Sequence, residues 1–278
     1  MLKEKLTVII VSYNSFSALV NCMDEWLKNP GCRILVIDNA SSDDSARKIS
    51  ERYPGVEVIA AASNLGYGRG ANRGLAEVQT SYALLLNPDI NASVQDACCL
   101  VESADRMAGE FAVLAPAVTE RDFAQQGLQS RQWVIGAAML FNMEMMAQVG
   151  FFDENIFLFS EETDLCRRVV SAGLPIYLDS DIYLRHLLKQ SSTPSPAIEH
   201  LKNWHMGWSR MYYRRKHGLN VGKKAEWRVL ASYWVRSLTS TNPEKRAAHR
   251  ARFEGSLAFM KGLAAYTLDG KPRQAPVS

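Results

Sequence analysis

The chain has 278 residues, 47% of them hydrophobic and 22% charged, with a net charge of +3. That size and composition supply one substantial core, alone or with a smaller lobe, and exclude an intrinsically disordered chain. No apolar run approaches the roughly 20 residues needed to cross a bilayer, residues 1–5 lead into a β-like run without a signal-peptide pattern, and the five cysteines form no CxxC pair, so the sequence predicts a cytoplasmic protein with reduced thiols and no structural zinc.

The charge is unevenly spread. Residues 1–184 hold 14 Lys and Arg against 24 Asp and Glu, whereas residues 185–278 hold 18 against 5. An acidic body with a basic tail points to an anionic partner (phosphate, membrane surface or nucleic acid), with a solvated basic helix face as the plain alternative.

In chain order, residues 6–12 (LTVIIVS), 33–38 (RILVID), 56–61 (VEVIAA) and 82–87 (YALLLN) are short β-rich runs separated by helical stretches at about 16–28, 43–53 and after the glycine-rich segment 66–74. This alternation predicts an α/β fold with a mostly parallel sheet covered on both faces. Asn14 and Ser15 are candidate caps for the first of these helices, and Ser41 to Asp44 for the second. Beyond Pro88 the pattern predicts a helix at 93–108, a strand at 111–118, a polar loop without regular structure at 119–130, a buried strand at 133–141, a short helix to Val149, a helix from Glu161 to Ala172 closed by Gly173, and a strand at 174–183. From about 197 the chain reads as helical with a break at His217-Gly218. With no internal repeat, and with SSTPSP at 191–196 as the boundary, the partition is a catalytic domain over 1–190 and a helical basic extension over 197–278.

Ligands of open α/β sheets sit beyond the carboxyl ends of the strands. The first strand ends in Ser12-Tyr13-Asn14, the second in Asp38-Asn39, where a carboxylate can accept a hydrogen bond from a pyrimidine imide while Asn and Ser serve ribose or phosphate oxygens. The segment Asn64-Leu65-Gly66-Tyr67-Gly68-Arg69-Gly70-Ala71-Asn72-Arg73-Gly74 has glycines suited to close backbone approach to a nucleotide, with Arg69 or Arg73 near phosphate. It follows the third strand, which argues against the dinucleotide fingerprint of an oxidoreductase. Asn87-Pro88-Asp89 brings oxygen ligands to a strand end, as a divalent cation requires. The acidic group Asp153-Glu154 and Glu161-Glu162-Thr163-Asp164 follows aromatic residues whose desolvation raises a carboxyl pKa toward that of a general base.

Taken together, TVIIVSYNS, VIDNASSDDS, NLGYGRGANRGL, LLLNPDI and FDENIFLFSEETDLCRRVVSAG resemble the successive motifs of family-two glycosyltransferases, particularly the rhamnosyltransferase-like branch, over residues 6–186. The resemblance implies a GT-A (nucleotide-diphospho-sugar transferase) fold and an inverting transfer of a sugar, with dTDP-L-rhamnose as donor, to a lipid-linked glycan acceptor; UDP- and GDP-sugars are the alternative donors. It places Asp38 on the nucleobase, with Ser12, Tyr13, Asn14, Asn64, Gly66, Arg69, Asn72 and Asn87 about the nucleotide sugar. Asp89 stands at the DxD position and His186 at the late metal-binding histidine, followed by Ser191-Ser192, with Mg²⁺ or Mn²⁺ as the cofactor. Glu161-Glu162 occupies the family's Glu-Asp pair, whose second member is the base; this chain carries Glu162 there, one methylene longer.

Two aromatic stripes mark the tail. Trp204, Trp208, Met211 and Tyr212 share one helix face, and Trp227, Leu230, Trp234 and Leu238 another, beside Arg210, Arg214, Arg215, Lys216, Arg228 and Arg236. The first stripe is expected to pack against the catalytic body; an aromatic stripe with a basic flank, as in the second, suits an interfacial helix at an anionic membrane, at the inner face of the cytoplasmic membrane for a lipid-linked acceptor, or else helix packing or a homodimer. A basic-tailed nucleic-acid-binding protein is the reading from another class; it leaves Asp89, Glu161, Glu162 and His186 without a role.

Overall fold

The computed structural model describes residues 2–187, 195–219 and 222–273 and forms two compact units. Ser191 and Ser192, with much of the 191–196 boundary stretch, lie outside the described residues. The elements are α1 (Leu2–Lys5), β1 (Leu6–Ser12), α2 (Phe16–Lys28), β2 (Arg33–Asp38), α3 (Ser45–Arg52), β3 (Glu57–Ala60), α4 (Tyr67–Leu75), β4 (Tyr82–Leu86), β5 (Ile90–Asn91), α5 (Val94–Arg106), β6 (Val113–Ala117), α6 (Glu120–Phe123), β7 (Leu128–Arg131), β8 (Ala138–Asn142), α7 (Met143–Met146), α8 (Glu161–Ser171), β9 (Ile176–Tyr183), β10 (Arg185–His186), α9 (Pro196–Lys216), α10 (Lys223–Thr239) and α11 (Pro243–Met260).

The first unit takes residues 2–64, 69–152 and 162–187 of those described. Its sheet runs in the order β3-β2-β1-β4-β8-β6-β9-β7, with parallel neighbours throughout β3-β2-β1-β4 and again at β6-β9. Strands β8 and β7 run antiparallel to the rest, so the sheet is mixed with a parallel majority. Strands β1, β4, β6 and β8 are buried along their whole length, which is why they read as continuous apolar runs without alternation. Helix α4 lies close against this sheet because its inner face is glycine: a β-carbon at Gly74 would stand 2.6 Å from Ile9 Cγ2, and one at Gly70 would stand 3.0 Å from Val11 Cγ1.

Three local expectations are corrected. The segment 119–130 is not an irregular loop; it contains α6 and the start of β7, a half-exposed edge strand paired antiparallel to β9, and its polar LQSR sequence carries no hydrophobic signal because only one side is covered. The run 133–141 becomes strand only from Ala138, since Gly136 turns the chain before it; Val134 and Ala137 are buried as loop residues. Ser15 occupies the N-cap of α2 without capping it, its hydroxyl accepting from Tyr13 N at 3.1 Å.

The second unit comprises residues 65–68, 153–161, 195–219 and 222–273. Helices α9 and α11 cross at Gly207 and Gly255, where an added β-carbon would collide with Arg252 O at 2.2 Å and Trp204 O at 1.9 Å. Trp204, Trp208 and Met211 of α9 pack with Phe157, Phe259 and Tyr266, and Trp208 Nε1 donates to Leu263 O at 2.7 Å. The first aromatic stripe is therefore core, as its helix face suggests, and it packs within its own unit. Its neighbour His205 is fully buried between Phe157 and Trp204, with ring centroids 4.3 and 4.8 Å away, and this burial pushes the imidazole down to about 3.

His205 makes this unit sensitive to acid. Its folded pKa lies below the ordinary 6.5, so the unfolded chain takes up the proton first and stability falls as pH drops from about 6.5 toward 3. Melting temperatures measured between pH 7.5 and 4.5 are expected to decline, and His205→Phe to flatten that decline; equal slopes for both proteins would remove His205 as the cause.

Candidate functional site

The parallel register sets the site. Ser12 pairs with Asp38 across β1 and β2, while Ile10 pairs with Leu86 across β1 and β4, so Ser12, Asp38 and Asn87 reach the same end of the sheet. Each leaves a buried side-chain oxygen with no hydrogen-bond partner: Ser12 Oγ, Asp38 Oδ1 and Asn87 Oδ1, joined by Asp89 Oδ1 two residues further on. Buried polar atoms are nearly always paired, so four such oxygens beyond three adjacent strands form a surface that a polar ligand would complete. Asp38 keeps its other oxygen occupied, Oδ2 accepting from Ser41 N at 3.0 Å, which fixes the carboxylate with Oδ1 left over.

The loops above these strands are braced to one another. Asn14, at φ 52°, donates its backbone N–H to Ser41 Oγ at 2.8 Å, and its Oδ1 accepts from Ser42 N at 2.8 Å. Ala40 and Asp44 also have positive φ, and Asp43 Oδ1 accepts from Ser45 N at 3.0 Å at the start of α3. Tyr13 is partly buried beside Ser15.

Asp89 and His186 meet through a two-residue ladder. Strands β5 and β10 pair antiparallel with His186 opposite Ile90, and Leu187 N donates to Asp89 O at 3.0 Å. His186 Nε2 stands 3.3 Å from Asp89 Oδ1, on a carboxylate that is 1% exposed. One carboxylate and one imidazole are a donor set that a divalent cation accepts, with its remaining positions open to diphosphate oxygens and water. Among the described residues no group of three His, Cys, Asp or Glu side chains forms a self-sufficient metal cage.

The acid pair opens α8. The chain enters it through Phe159 at φ 65° and Ser160 at φ 68°, a left-handed conformation costly for a bulky side chain. Glu162 is partly exposed; burial raises its carboxyl above the ordinary range, opposed by the backbone N–H groups of Glu162 and Thr163 and by the Thr163 hydroxyl. A β-carbon on Gly136 would stand 2.9 Å from Glu162 Cβ, and the adjoining Ala137 O accepts from Asn87 N at 2.9 Å. The segment Gly136-Ala137 thus carries Glu162 on one side and the Asn87 end of β4 on the other. Sequence reasoning missed Gly136; a glycine inside an apolar run was the available signal.

Other expected residues serve differently. Asn72 spends both ends of its amide on Phe152, Nδ2 donating to Phe152 O at 2.9 Å and Oδ1 accepting from Phe152 N at 3.0 Å, so it clamps a loop and does not present its side chain to a nucleotide. Gly70 and Gly74 are accounted for by helix packing on the sheet, which corrects the reading that they open the backbone to a nucleotide. Asn64 lies in the loop before α4 and Arg69 on its first turn, both partly buried. Gly66 and Glu161 belong to the second unit. Gly66 has φ +80° and sits against Phe157, whose carbonyl an added β-carbon would meet at 2.3 Å; Glu161 is buried. Arg168 secures the approach to α8, donating to Asp164 at 2.8 Å and to the carbonyls of Val149 and Phe151.

The sequence model of Glycosyl transferase family 2 matches residues 7–166, more than half of the chain. An N-acetylglucosaminyl-diphospho-decaprenol L-rhamnosyltransferase of Mycobacterium tuberculosis is 24% identical, over 80% of this chain and 87% of its own. A dTDP-rhamnosyl transferase of Shigella flexneri, RfbF, is 20% identical over 69% and 72%. Among solved structures, a mannosyltransferase from Pyrobaculum calidifontis in complex with GDP-Man and Mn²⁺ has a TM-score of 0.60 at 11% identity, covering 93% of this chain and 87% of that one. The S. aureus TarS fragment 1–349 in complex with UDP has a TM-score of 0.54 at 15% identity, covering 99% and 98%. These likenesses establish the GT-A fold.

The Asn72 clamp is open to a direct test. Asn72→Ala removes two hydrogen bonds to one peptide and is expected to cost about 1–3 kcal/mol in urea unfolding; a loss below about 0.5 kcal/mol would show that the clamp is not structural.

Proposed function

Because the chain belongs to Glycosyl transferase family 2, a family of glycosyltransferases, we propose that it is an inverting, divalent-cation-dependent hexosyltransferase that moves L-rhamnose from dTDP-L-rhamnose to a lipid-linked saccharide in the synthesis of a bacterial cell-surface polysaccharide. The observation that carries this reading is the set of buried oxygens on Ser12, Asp38 and Asn87 without hydrogen-bond partners at one end of the sheet, together with the Asp89–His186 pair. The choice of sugar and acceptor is supported by relatives named as rhamnosyltransferases, one of them for an N-acetylglucosaminyl-diphospho-decaprenol acceptor.

In this mechanism Asp38 Oδ1 accepts the imide N–H of the pyrimidine, with Tyr13 and Asn64 around the nucleoside and Arg69 toward phosphate. Asp89 and His186 would hold Mg²⁺ or Mn²⁺, which when bound neutralises charge on the diphosphate. Glu162 takes the proton of the acceptor hydroxyl while that oxygen forms a bond to the anomeric carbon. The bond from that carbon to the diphosphate oxygen breaks, its electron pair leaves with the nucleoside diphosphate, and configuration inverts. The raised Glu162 carboxyl fits the role, since a base is more effective as its pKa approaches the working pH. Glu161, the other member of the pair, is the alternative base. The catalytic domain spans 1–190 and the helical extension 197–278; the acceptor's lipid places the reaction at a membrane surface.

The test is transfer from dTDP-rhamnose, UDP-GlcNAc and GDP-mannose to a short-chain polyprenyl-diphosphate GlcNAc, with Glu161→Gln and Glu162→Gln assayed separately. Glu162→Gln is expected to lower kcat by about 10²–10⁴-fold with little change in donor KM, and the wild-type rate to fall on acidification through a pKa above 4.5. An active Glu162→Gln enzyme would overturn the base assignment, and preferential use of UDP-GlcNAc or GDP-mannose would overturn the donor.

A further inference from the structure

Helix α10 carries two apolar faces, and only one is used within its unit. Leu230 and Tyr233 are buried at 2% and 4%, with the Tyr233 ring stacked on His249 of α11 and its hydroxyl accepting from Arg210 of α9 at 3.1 Å. On the other side Trp227 is 56% exposed, Trp234 52%, Val235 48% and Leu238 61%. At 100° per residue Trp227, Ala231, Trp234 and Leu238 fall within about 60° of one another, so the exposed residues form a stripe along the helix. Two indoles and two aliphatic side chains on one exposed face are more than scattered surface hydrophobics.

The stripe has a basic border. Lys223, Lys224 and Arg228 line a shallow depression with Trp227 and Ala231, and none of the three forms an ion pair among the described residues. The acid of this helix, Glu226, lies away from the stripe and is paired with Arg215 at 2.7 Å. The face therefore offers aromatic and aliphatic surface with uncompensated positive charge and no carboxylate.

We infer that α10 docks the enzyme on an anionic phospholipid bilayer, seating Trp227, Trp234, Val235 and Leu238 at the boundary between headgroups and acyl chains while Lys223, Lys224 and Arg228 meet lipid phosphates. Indoles favour that boundary, where their apolar rings and N–H groups are both satisfied, and adjacent basic side chains gain from the negative surface potential. A second copy of the chain fits less well, because the same face would bring three more cations and no acid to pair with them. Nucleic acid would answer the lysines and arginine but leave Val235 and Leu238 in water. No described helix is long and apolar enough to cross a membrane, so this attachment lies on the bilayer surface. The inference rests on the proposed lipid-linked acceptor only for its purpose, since the surface itself is read without donor or acceptor.

Flotation of the full chain with vesicles of phosphatidylcholine alone, or with 30% phosphatidylglycerol, tests it. Wild-type protein is expected to float with the anionic vesicles and at least 10-fold less with neutral ones. The exposed double variant Trp227→Ser/Trp234→Ser is expected to reduce anionic binding about 10-fold, and Lys223→Glu/Lys224→Glu/Arg228→Glu to abolish the preference for anionic lipid. Both variants should keep wild-type melting temperature and wild-type transfer to a water-soluble acceptor. No flotation, or flotation unchanged in the double variant, overturns the inference. Concentration-dependent dimerisation lost in the double variant, or oligonucleotide binding lost in the triple variant, without vesicle binding in the wild type, assigns the face to those occupants and overturns it equally. If vesicle binding behaves as expected while transfer from every sugar nucleotide fails, the fault lies in the proposed reaction and the docking face stands.

Discussion

The site depends on a small covering ladder. Strands β5 and β10, two residues each, hold His186 beside Asp89 after the chain has passed through most of the sheet and α8 between them. Without that pairing the Asp89 carboxylate would be buried with no imidazole beside it, a costly arrangement in a low-dielectric interior. With it, the Oδ1 atom of Asp89 and the imidazole lie at a separation that an intervening ion would adjust only slightly. The ladder thus sets two residues distant in sequence side by side.

The remainder of the first unit brings further buried oxygens to the same end of the sheet. Parallel strands end together, and their terminal oxygens on Ser12, Asp38 and Asn87 have no protein partners to satisfy them. Strain gathers in the connecting turns: Asn14, Ala40 and Asp44 follow β1 and β2 with positive φ. Each such non-glycine residue costs on the order of 1 kcal/mol or more, a cost that the network among Asn14, Ser41 and Ser42 offsets. In the second unit Phe159 and Ser160 show the same conformation just before α8.

Much of this was legible in the sequence because it follows from short-range rules. The buried parallel strands read as uninterrupted apolar runs, α2 and α8 emerged within a residue of their observed bounds, and the order of motifs identified the family. What escaped notice depended on contacts distant in sequence. Strand β7 is defined by its partner β9 and not by its own polarity. Asn72 read as a ligand-binding amide because nothing local announces its bond to Phe152, eighty positions away. Gly70 and Gly74 read as glycines that let the backbone approach a nucleotide, although what requires them here is the proximity of Val11 and Ile9. The tail gave two aromatic stripes of similar appearance, and only packing separated the buried Trp204 and Trp208 from the exposed Trp227 and Trp234.

The central claim is that one cation and one nucleoside diphosphate are held together by Asp38, Asp89 and His186. Crystals grown with Mn²⁺ and dTDP, measured at the manganese absorption edge, test it most directly. The account predicts a single strong anomalous peak in contact with Asp89 and His186, with the diphosphate on the same ion and the thymine against Asp38. A peak bound to neither residue, or a nucleotide seated away from Asp38, would contradict it.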